Sequence, residues 1–542
     1  MSEHAGAAAL DGATLRCWMS TAHDLLTARR DDLDALNVFP VADADTGTNL
    51  LLTLGEAASA VGRLDGAARA GDVAQALVRG ALIGARGNSG VIVGQYLRAF
   101  VGGLPTTMSG TALTGTTTGH DLADALERAA VAAYEAVGEP LEGTVLTVAR
   151  AVGAGARRAT RATPGAGCVE VLDAGVDVGY QALARTTGQL PALRAAGVLD
   201  AGGWGLLLVL DALAHCLGST SALDRAAVAR RAGTPDGRPV TSSPTARAAM
   251  TLPPCPEPSG DGGGAPIETG PEFEVMYLVE DGSGSDLAPR LRSALRGVGE
   301  SVAVVGGEGL WQVHVHTSTP LEALAGASAV GGAARQVRVR HLMSQSGVHG
   351  QHRPALGLVA VTAAPGLVAD LARAGAVVVL VHDGDHLGPQ LRRAVQDTGA
   401  SRVLVLASQQ VDPALHDGDV EVVDDLQEVQ LVIGAATLAS QDPSPGPDAL
   451  LAEVTRAVRQ VRTSVVSFDA ADVGGVLHAE RVRRTVDRLL ESATGIVTVV
   501  TGTLTPPAAV AALLDAGRSH EEVELVVLAG GAPHADVVIG VE

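Results

Sequence analysis

The sequence predicts a multidomain protein: an all-α N-terminal domain followed by two α/β domains. Apolar residues recur three and four apart through the first 216 or so positions, the spacing of amphipathic helices. A tract dense in Pro, Gly, Ser and Thr then interrupts the pattern, and beyond it short β-branched runs alternate with helical stretches. The chain has 542 residues, and at ~150 residues per domain that length leaves room for three or four.

The helical pattern runs through Leu10 to Leu36, Val73 to Leu82, Val91 to Val101, Leu122 to Val137 and Val169 to Ala184. With the turn clusters between them it predicts roughly seven to nine helices over 1–216. One such cluster is GARGNSG at 84–90. Another, TTMSGTALTGTTTGHD at 106–121, reads as a mobile surface loop or a lid. Residues 217–268 have too little apolar surface to offset chain entropy and read as a flexible linker. A small α/β domain over 269–350 follows, with strand runs FEVMYLV, SVAVVGG and LWQVHVHT and a helical run from Leu287 to Val298. Over 353–542 the runs ALGLVAVTA, AVVVLVHD, SRVLVLAS, EVQLVIGA, TSVVSFDA, GIVTVVTG and EVELVVLAG predict strands. Helices at Gly366 to Ala374, Leu387 to Asp397 and Leu450 to Arg459 lie between them, the pattern of a largely parallel or mixed sheet.

Composition narrows the function. Hydrophobic residues make up 46% and charged residues 18%, a globular balance. Aromatics are 2%, so the cores must be built from Ala, Val and Leu. Sixty acidic against 39 basic residues give a net charge of -21, a field that repels nucleic acid and anionic lipid. There is no lysine, which excludes a Walker A loop, a protein-kinase ATP lysine and Schiff-base chemistry. Cys17, Cys168, Cys216 and Cys255 form no C-x-x-C pair and read as reduced thiols rather than a disulfide framework. The N-terminus lacks the regions of a signal peptide, and no uncharged apolar run reaches the ~20 residues of a membrane span. A cytoplasmic protein is the expectation.

The chemistry concentrates in LNVFPVADADTGTNLLLTL, 36–54. Asp43 and Asp45 stand two apart just before an apolar helix. Two carboxylates held this close repel unless a cation lies between them, and Asp oxygens together with substrate phosphates are how Mg²⁺ is usually held. Thr46, Thr48 and Asn49 can cap the helix while its free N–H groups face phosphate. The same spacing also suits a plain turn and N-cap. In GARGNSGVI, Gly84, Gly87 and Gly90 bracket Asn88 and Ser89 at a helix start, which suits close approach of a phosphate or an ordinary helix–turn–helix. LEGTVLTVARAV at 141–152 and VLDAGGWGLLLVL at 198–210 repeat the theme of a glycine and a polar residue before an apolar helix. If those helices are antiparallel neighbours, alternate junctions gather at one end as a phosphate pocket. In LWQVHVHT, His314 and His316 project from one face of a strand, which fits metal binding, acid–base work or two structural histidines.

LNVFPVADADTGTNL, GARGNSGVI, EGTVLTV and VLDAGGWGL, in that order, resemble the fatty acid kinase A (FakA) family, whose N-terminal domain is similar to the DhaL-type nucleotide-binding subunit of dihydroxyacetone kinases. The resemblance extends through EF at 272–273 and VHVHT at 313–317 to the C-terminus. It implies a DhaL-like helical barrel over 1–216 with ATP and two Mg²⁺ ions at its rim. Asp43 and Asp45 match the family's metal-binding aspartates, and Asn37 sits near a further one. Thr46, Thr48, Asn49, Gly87, Asn88, Ser89, Gly90, Gly143, Thr144, Asp200, Gly202 and Gly203 match or flank positions of the nucleotide-site motifs. The implied acceptor is a fatty acid carboxylate presented by a separate FakB-type fatty-acid-binding protein that docks on the C-terminal domain; the product is an acyl phosphate. A homodimer is implied as well. Family members use the histidine pair with a cysteine, where this chain has Gly270, so zinc is not expected there and His314 and His316 are left as candidates for handling the acyl group. Ala42 and Ala44 replace a more usual Pro and Gly, and Ala44 predicts ordinary backbone angles between the aspartates. Trp204 replaces a more usual polar residue and predicts packing rather than stacking on adenine. With no lysine present, Mg²⁺, helix N-termini and Arg86 would supply positive potential. The alternatives are a kinase of dihydroxyacetone or a similar hydroxy-ketone, and a nucleotide-binding regulator without turnover.

Overall fold

The structure, a computed structural model, describes residues 10–104, 117–232, 270–281, 286–307, 309–342, 354–382, 387–415, 418–441, 446–467, 495–518, 523–532 and 536–541, with Arg484, Thr485 and Arg488. Contacts divide the chain into a helical unit, residues up to 270 with 301–308, and a mixed unit of 271–300 and 309–542.

The helical unit holds α1 (Gly12–Leu36), α2 (Thr46–Gly62), α3 (Ala70–Gly84), α4 (Gly87–Gly102), α5 (Gly119–Ala136), α6 (Val145–Ala162), α7 (Cys168–Gln189), α8 (Pro191–Ala196), α9 (Ala201–Cys216) and α10 (Ala222–Ala232). Helix α9 is apolar on every side, and each residue from Ala201 to Ala214 is buried. A helix with no polar face has to sit inside, and α1, α2, α6, α7 and α10 all pack on it. Trp18 of α1 is fully buried, stacks edge-on against Phe100 at 5.6 Å and donates its indole N–H to the Val209 carbonyl at 2.8 Å. Trp204 is buried in the same core, where the sequence expects packing.

Three expectations are corrected here. Cys17 and Cys216 are not separate thiols: they form a disulfide across 199 residues that ties α1 to the end of α9, while Cys168 stays free and buried. Two cysteines that far apart carry no sequence signal of meeting; only the packing of α1 on α9 brings them together. The linker does not start at 217. Helix α10 continues the helical unit, because Arg225 reaches Asp211 at 3.0 Å and Asp173 at 2.6 Å, and the rest of the tract, 233–269, lies outside the described residues. Of the loop at 106–121, residues 106–116 also lie outside them, whereas 119–121 already open α5 behind a Thr118–Asp121 capping box.

The mixed unit holds β1 (Phe273–Glu280), α11 (Ala288–Leu295), β3 (Leu310–Thr317), α12 (Pro320–Ala329), β4 (Ala334–His341), β5 (Gly357–Thr362), α13 (Val368–Arg373), β6 (Val377–Leu380), α14 (Leu387–Asp397), β7 (Val403–Ala407), β8 (Val420–Val423), α15 (Glu428–Ser440), α16 (Pro447–Gln460), β9 (Arg462–Val466), β10 (Gly495–Thr501), α17 (Pro507–Arg518), β11 (Val523–Ala529) and β12 (Val537–Val541). Strand β2 (Glu300–Gly307) is counted almost wholly with the helical unit. One sheet runs β3-β1-β4-β6-β5-β7-β8. Its first part is antiparallel, β6-β5-β7-β8 is parallel, and the two parts join where Val337 to Val339 of β4 pair with Val378 to Leu380 of β6. A second sheet has the order β11-β10-β12-β9. The run EVQLVIGA, expected as a strand, is the start of helix α15. A short continuous apolar run fits either element; here Gln427 and Gln430 cap a helix that goes on to Ser440. The overall class, a helical N-terminal region followed by mixed α/β structure, is as the sequence predicts.

Candidate functional site

The aspartate loop lies between α1 and α2, and both carboxylates are half-buried. Asn37, the residue that ends α1, donates its amide N–H to Asp43 Oδ1 at 2.5 Å and to Asp45 Oδ1 at 3.4 Å. Both carboxylates therefore converge on one donor. Ala44 between them has φ +54°, not the ordinary angles expected of an alanine. Holding the two carboxylates on one side of so short a turn demands this left-handed step, which costs an L-residue about 1 kcal/mol and suits the glycine more usual there.

Asp45 is the residue before α2, yet its side chain makes no capping hydrogen bond to that helix. Asp34 of α1 accepts instead, from Thr48 N–H at 2.9 Å and from Thr48 Oγ1 at 2.8 Å, with Gly47 N–H also facing it. Burial pushes the Asp34 carboxyl up to about 6, against the hydrogen bonds from Thr48, and the Asp45 charge adds to the rise. Thr48, expected at the nucleotide, is thus committed to Asp34.

The other helix starts gather beside this loop. A side chain at Gly87, where φ is +54°, would strike Asn49 Nδ2 at 2.4 Å, and one at Gly90 would strike Thr53 Oγ1 at 2.3 Å. Gly202 lies against Ser89 Oγ and Val145. The starts of α2, α4, α6 and α9 therefore meet. Asp200 is buried, caps Gly203 N–H at 2.6 Å and also faces Val145 N–H at the start of α6. Burial pushes Asp200 up to about 7, against those hydrogen bonds. Thr144 caps α6 through Leu146 N–H at 3.4 Å. Gly143, with φ +85°, is set against Gln189 and Leu190 rather than toward the other starts.

These four starts are not equivalent. Protein side chains cap α2, α6 and α9, whereas Arg86, the residue before α4, makes no side-chain cap. Arg86 is buried, and its guanidinium turns back to the Gly84 carbonyl at 2.6 Å. The N–H groups of Gly87, Asn88 and Ser89 are left as the open end of a helix dipole, the chemistry that holds phosphate oxygens. Two hard carboxylates on the neighbouring loop are of the kind that suits Mg²⁺, so the residues present fit Mg²⁺–ATP.

The histidine pair lies in the mixed unit. Register places Glu274 opposite His316 on one side and opposite Arg340 on the other, and Met276 opposite His314. Glu274, His314 and His316 are buried; their ligand-capable atoms lie within 4.8 Å of one another, with His314 Nδ1 3.4 Å from Glu274 Oε1. Arg340 holds the other Glu274 oxygen. Burial would push Glu274 up, but Arg340 and the histidines outweigh it and hold the carboxyl at about 2. Burial also pushes His314 down to about 3, against the pull of Glu274. Gly270 is exposed and brings no thiol. Two imidazoles and a carboxylate are donors of the kind that hold a metal, and Arg340 takes up the remaining Glu274 oxygen. His314 and His316 are both buried beside Glu274. Asp34, Glu274 and Arg340 carry no signal in the sequence, since each acts across helices or strands.

Two family models match the chain: a DAK2 domain over residues 40–215, and the FakA-like middle domain of fatty acid kinases over 270–348. The protein YloV of Bacillus subtilis is 28% identical over 482 residues, covering 85% of this chain and 82% of that protein. Uncharacterized proteins of Staphylococcus saprophyticus and Staphylococcus haemolyticus are each 36% identical, over 184 and 186 residues, covering 34% of this chain and 32% of theirs.

Proposed function

The chain belongs to the fatty acid kinase A family, with a DhaL-like N-terminal domain, a kinase-type lineage, and from that membership we propose that it phosphorylates a fatty acid carboxylate presented by a separate FakB-type fatty-acid-binding protein, using ATP. The observation that carries the proposal is the junction of four helix starts with Asp43 and Asp45 beside the one start left uncapped.

Phosphoryl transfer is mostly positioning and charge stabilisation. A carboxylate oxygen of the acceptor bonds to the γ-phosphorus as the bond to the bridging oxygen of ADP breaks. The acceptor is already an anion at neutral pH, so no general base is required. Bound Mg²⁺, one ion or two, supplies charge neutralisation for the phosphate oxygens. Asp43 and Asp45 hold the cation, Asn37 keeps the two carboxylates together, and the α4 N–H groups of Gly87 to Ser89 orient the phosphates. Asp200 and Thr144 fix the starts of α9 and α6, with Gly202 and Gly203 allowing close approach. The acyl-binding partner docks on the C-terminal α/β part, and the reaction belongs to the cytoplasm. Among the described residues no helix is long and apolar enough to cross a membrane.

The test incubates the protein with Mg²⁺, ATP and a fatty acid on its binding protein, trapping acyl phosphate as the hydroxamate. Trapping by the wild type but not by Asp43→Asn supports the reading. Unchanged turnover in Asp43→Asn refutes the metal assignment. Phosphorylation of dihydroxyacetone instead makes the chain a hydroxy-ketone kinase, and a Mg²⁺–ATP melting shift without any product makes it a regulator.

A further inference from the structure

We infer that two fully buried threonines, Thr53 on α2 and Thr186 on α7, are positioning residues that set the starts of α4 and α9 at the site. The inference deepens the proposed kinase reading and rests on it for the nucleotide alone.

Thr53 stands in the run LLLTL, 50–54, where every neighbour is apolar. Valine would fill the same space in a helix core and bring no hydroxyl to satisfy. Neither Thr53 nor Thr186 has exposed surface, so each hydroxyl must find its partners inside the protein. The two find them in the same way. Thr53 Oγ1 donates to the Asn49 carbonyl of its own helix at 2.6 Å and accepts the Arg86 N–H at 3.1 Å. Thr186 Oγ1 donates to the Leu183 carbonyl of its own helix at 2.7 Å and accepts the Asp200 N–H at 3.1 Å. Arg86 and Asp200 are the residues immediately before α4 and α9. The N–H of such a residue lies outside its helix's own ladder, and in a capping box a Glu or Gln at the third helical position takes it. Helices α4 and α9 carry Ser89 and Gly203 at that position. A threonine from a neighbouring helix serves instead.

Each hydroxyl thus ties the entry of one site helix to the body of another. A side chain at Gly90 would strike Thr53 Oγ1 at 2.3 Å, so the first turn of α4 rests on this group. Beside Thr186, Thr187 Oγ1 donates to the Val198 carbonyl at 2.7 Å, and the two threonines together hold the segment that leads into α9. Asp200, held there, takes the Gly203 N–H and faces the Val145 N–H. Thr186 therefore acts on α9 directly and on α6 through Asp200.

Two measurements on the full chain test this. Hydrogen exchange reads the placement without any ligand. Thr53→Val is expected to speed exchange of the Arg86 and Gly90 amides about tenfold, and Thr186→Val that of the Asp200, Gly203 and Trp204 amides, while the α5 amides keep their protection. Equal loss across all the helices, or none at the named amides, overturns the inference whatever reaction the protein catalyses. The second measurement is calorimetry with Mg²⁺ and a non-hydrolysable ATP analogue. Each valine variant weakens binding about tenfold or more, the range that supporting residues command, while serine, which keeps the hydroxyl, stays within about threefold. Leu126→Val, in the α5 core, lowers the melting temperature as the threonine variants do and leaves the affinity unchanged. Unchanged affinity in the valine variants overturns the inference. So does a serine loss equal to that of valine, because the hydroxyl is then not the agent. If Leu126→Val weakens binding as much as they do, the threonines act through stability alone and the inference fails again. Should a valine variant not fold, cysteine, of similar size and weaker as an acceptor, replaces it in both measurements. A wild type that binds no nucleotide sinks the kinase reading and leaves hydrogen exchange to decide this one.

Discussion

Replacing Arg340 with Met leaves Glu274 as a buried charge without its cation. Glu274 is 4% exposed and the Arg340 side chain 14%, so water screens neither partner appreciably. The carboxyl is held at about 2 against an ordinary 4.5, and burial alone would push it the other way. Breaking a buried ion pair by removing one partner typically costs about 3–5 kcal/mol, because it strands the other charge. Arg340→Met is therefore expected to cost about 3 kcal/mol at pH 7. The loss shrinks as pH falls, because an unpaired Glu274 takes up a proton. Glu274→Gln in the same background restores most of the stability. Hydrogen exchange of the β1 and β3 amides in a guanidinium series reads this locally. A Glu274–Arg340 coupling under about 1 kcal/mol, or a double variant no more stable than Arg340→Met, refutes the account of the buried network.

Other outcomes follow from the same structure. Gly87→Ala is expected to lower nucleotide affinity and stability together, since it meets Asn49 Nδ2 at 2.4 Å in a left-handed step; calorimetry with Mg²⁺–ATP analogue checks it. His314 has a depressed folded pKa of about 3, so its contribution is present above the unfolded value of 6.5 and is lost as pH falls toward 3; His314→Gln should flatten that acid limb in melts from pH 7 to 4. Asp200 has the opposite sign. Its folded pKa of about 7 lies above the unfolded 3.8, so stability falls as pH rises between these values, and Asp200→Asn should remove that slope. Cys216→Ser opens a loop of 199 residues, worth up to about 5 kcal/mol in the chain-entropy account; melting with and without reductant should differ for the wild type and coincide for the variant.

Local features were legible in the sequence and features made by tertiary contact were not. The glycines at 87 and 90 could be read as a helix start because the signal spans a few neighbouring residues. Asp34 could not, because its task appears only once α1 and α2 lie side by side. Glu274 and Arg340 sit 66 residues apart and meet through strand register alone. EVQLVIGA misled because eight apolar-rich residues fit both periods, and the caps that decide between them lie at its edge. Ala44 misled in a different way: an alanine's preference is a weak prior, and the turn that joins two carboxylates overrides it.

The pairing of β4 with β6 constrains how the chain can be cut. Removing everything after residue 350 to isolate the middle segment would strip Val337, Val339 and their neighbours of hydrogen-bond partners and leave a bare strand edge in water. Bare edges of this kind recruit other chains and aggregate. A shortened protein that lost partner-dependent turnover would then report insolubility rather than a missing docking face. Point substitutions on the intact chain avoid this confusion.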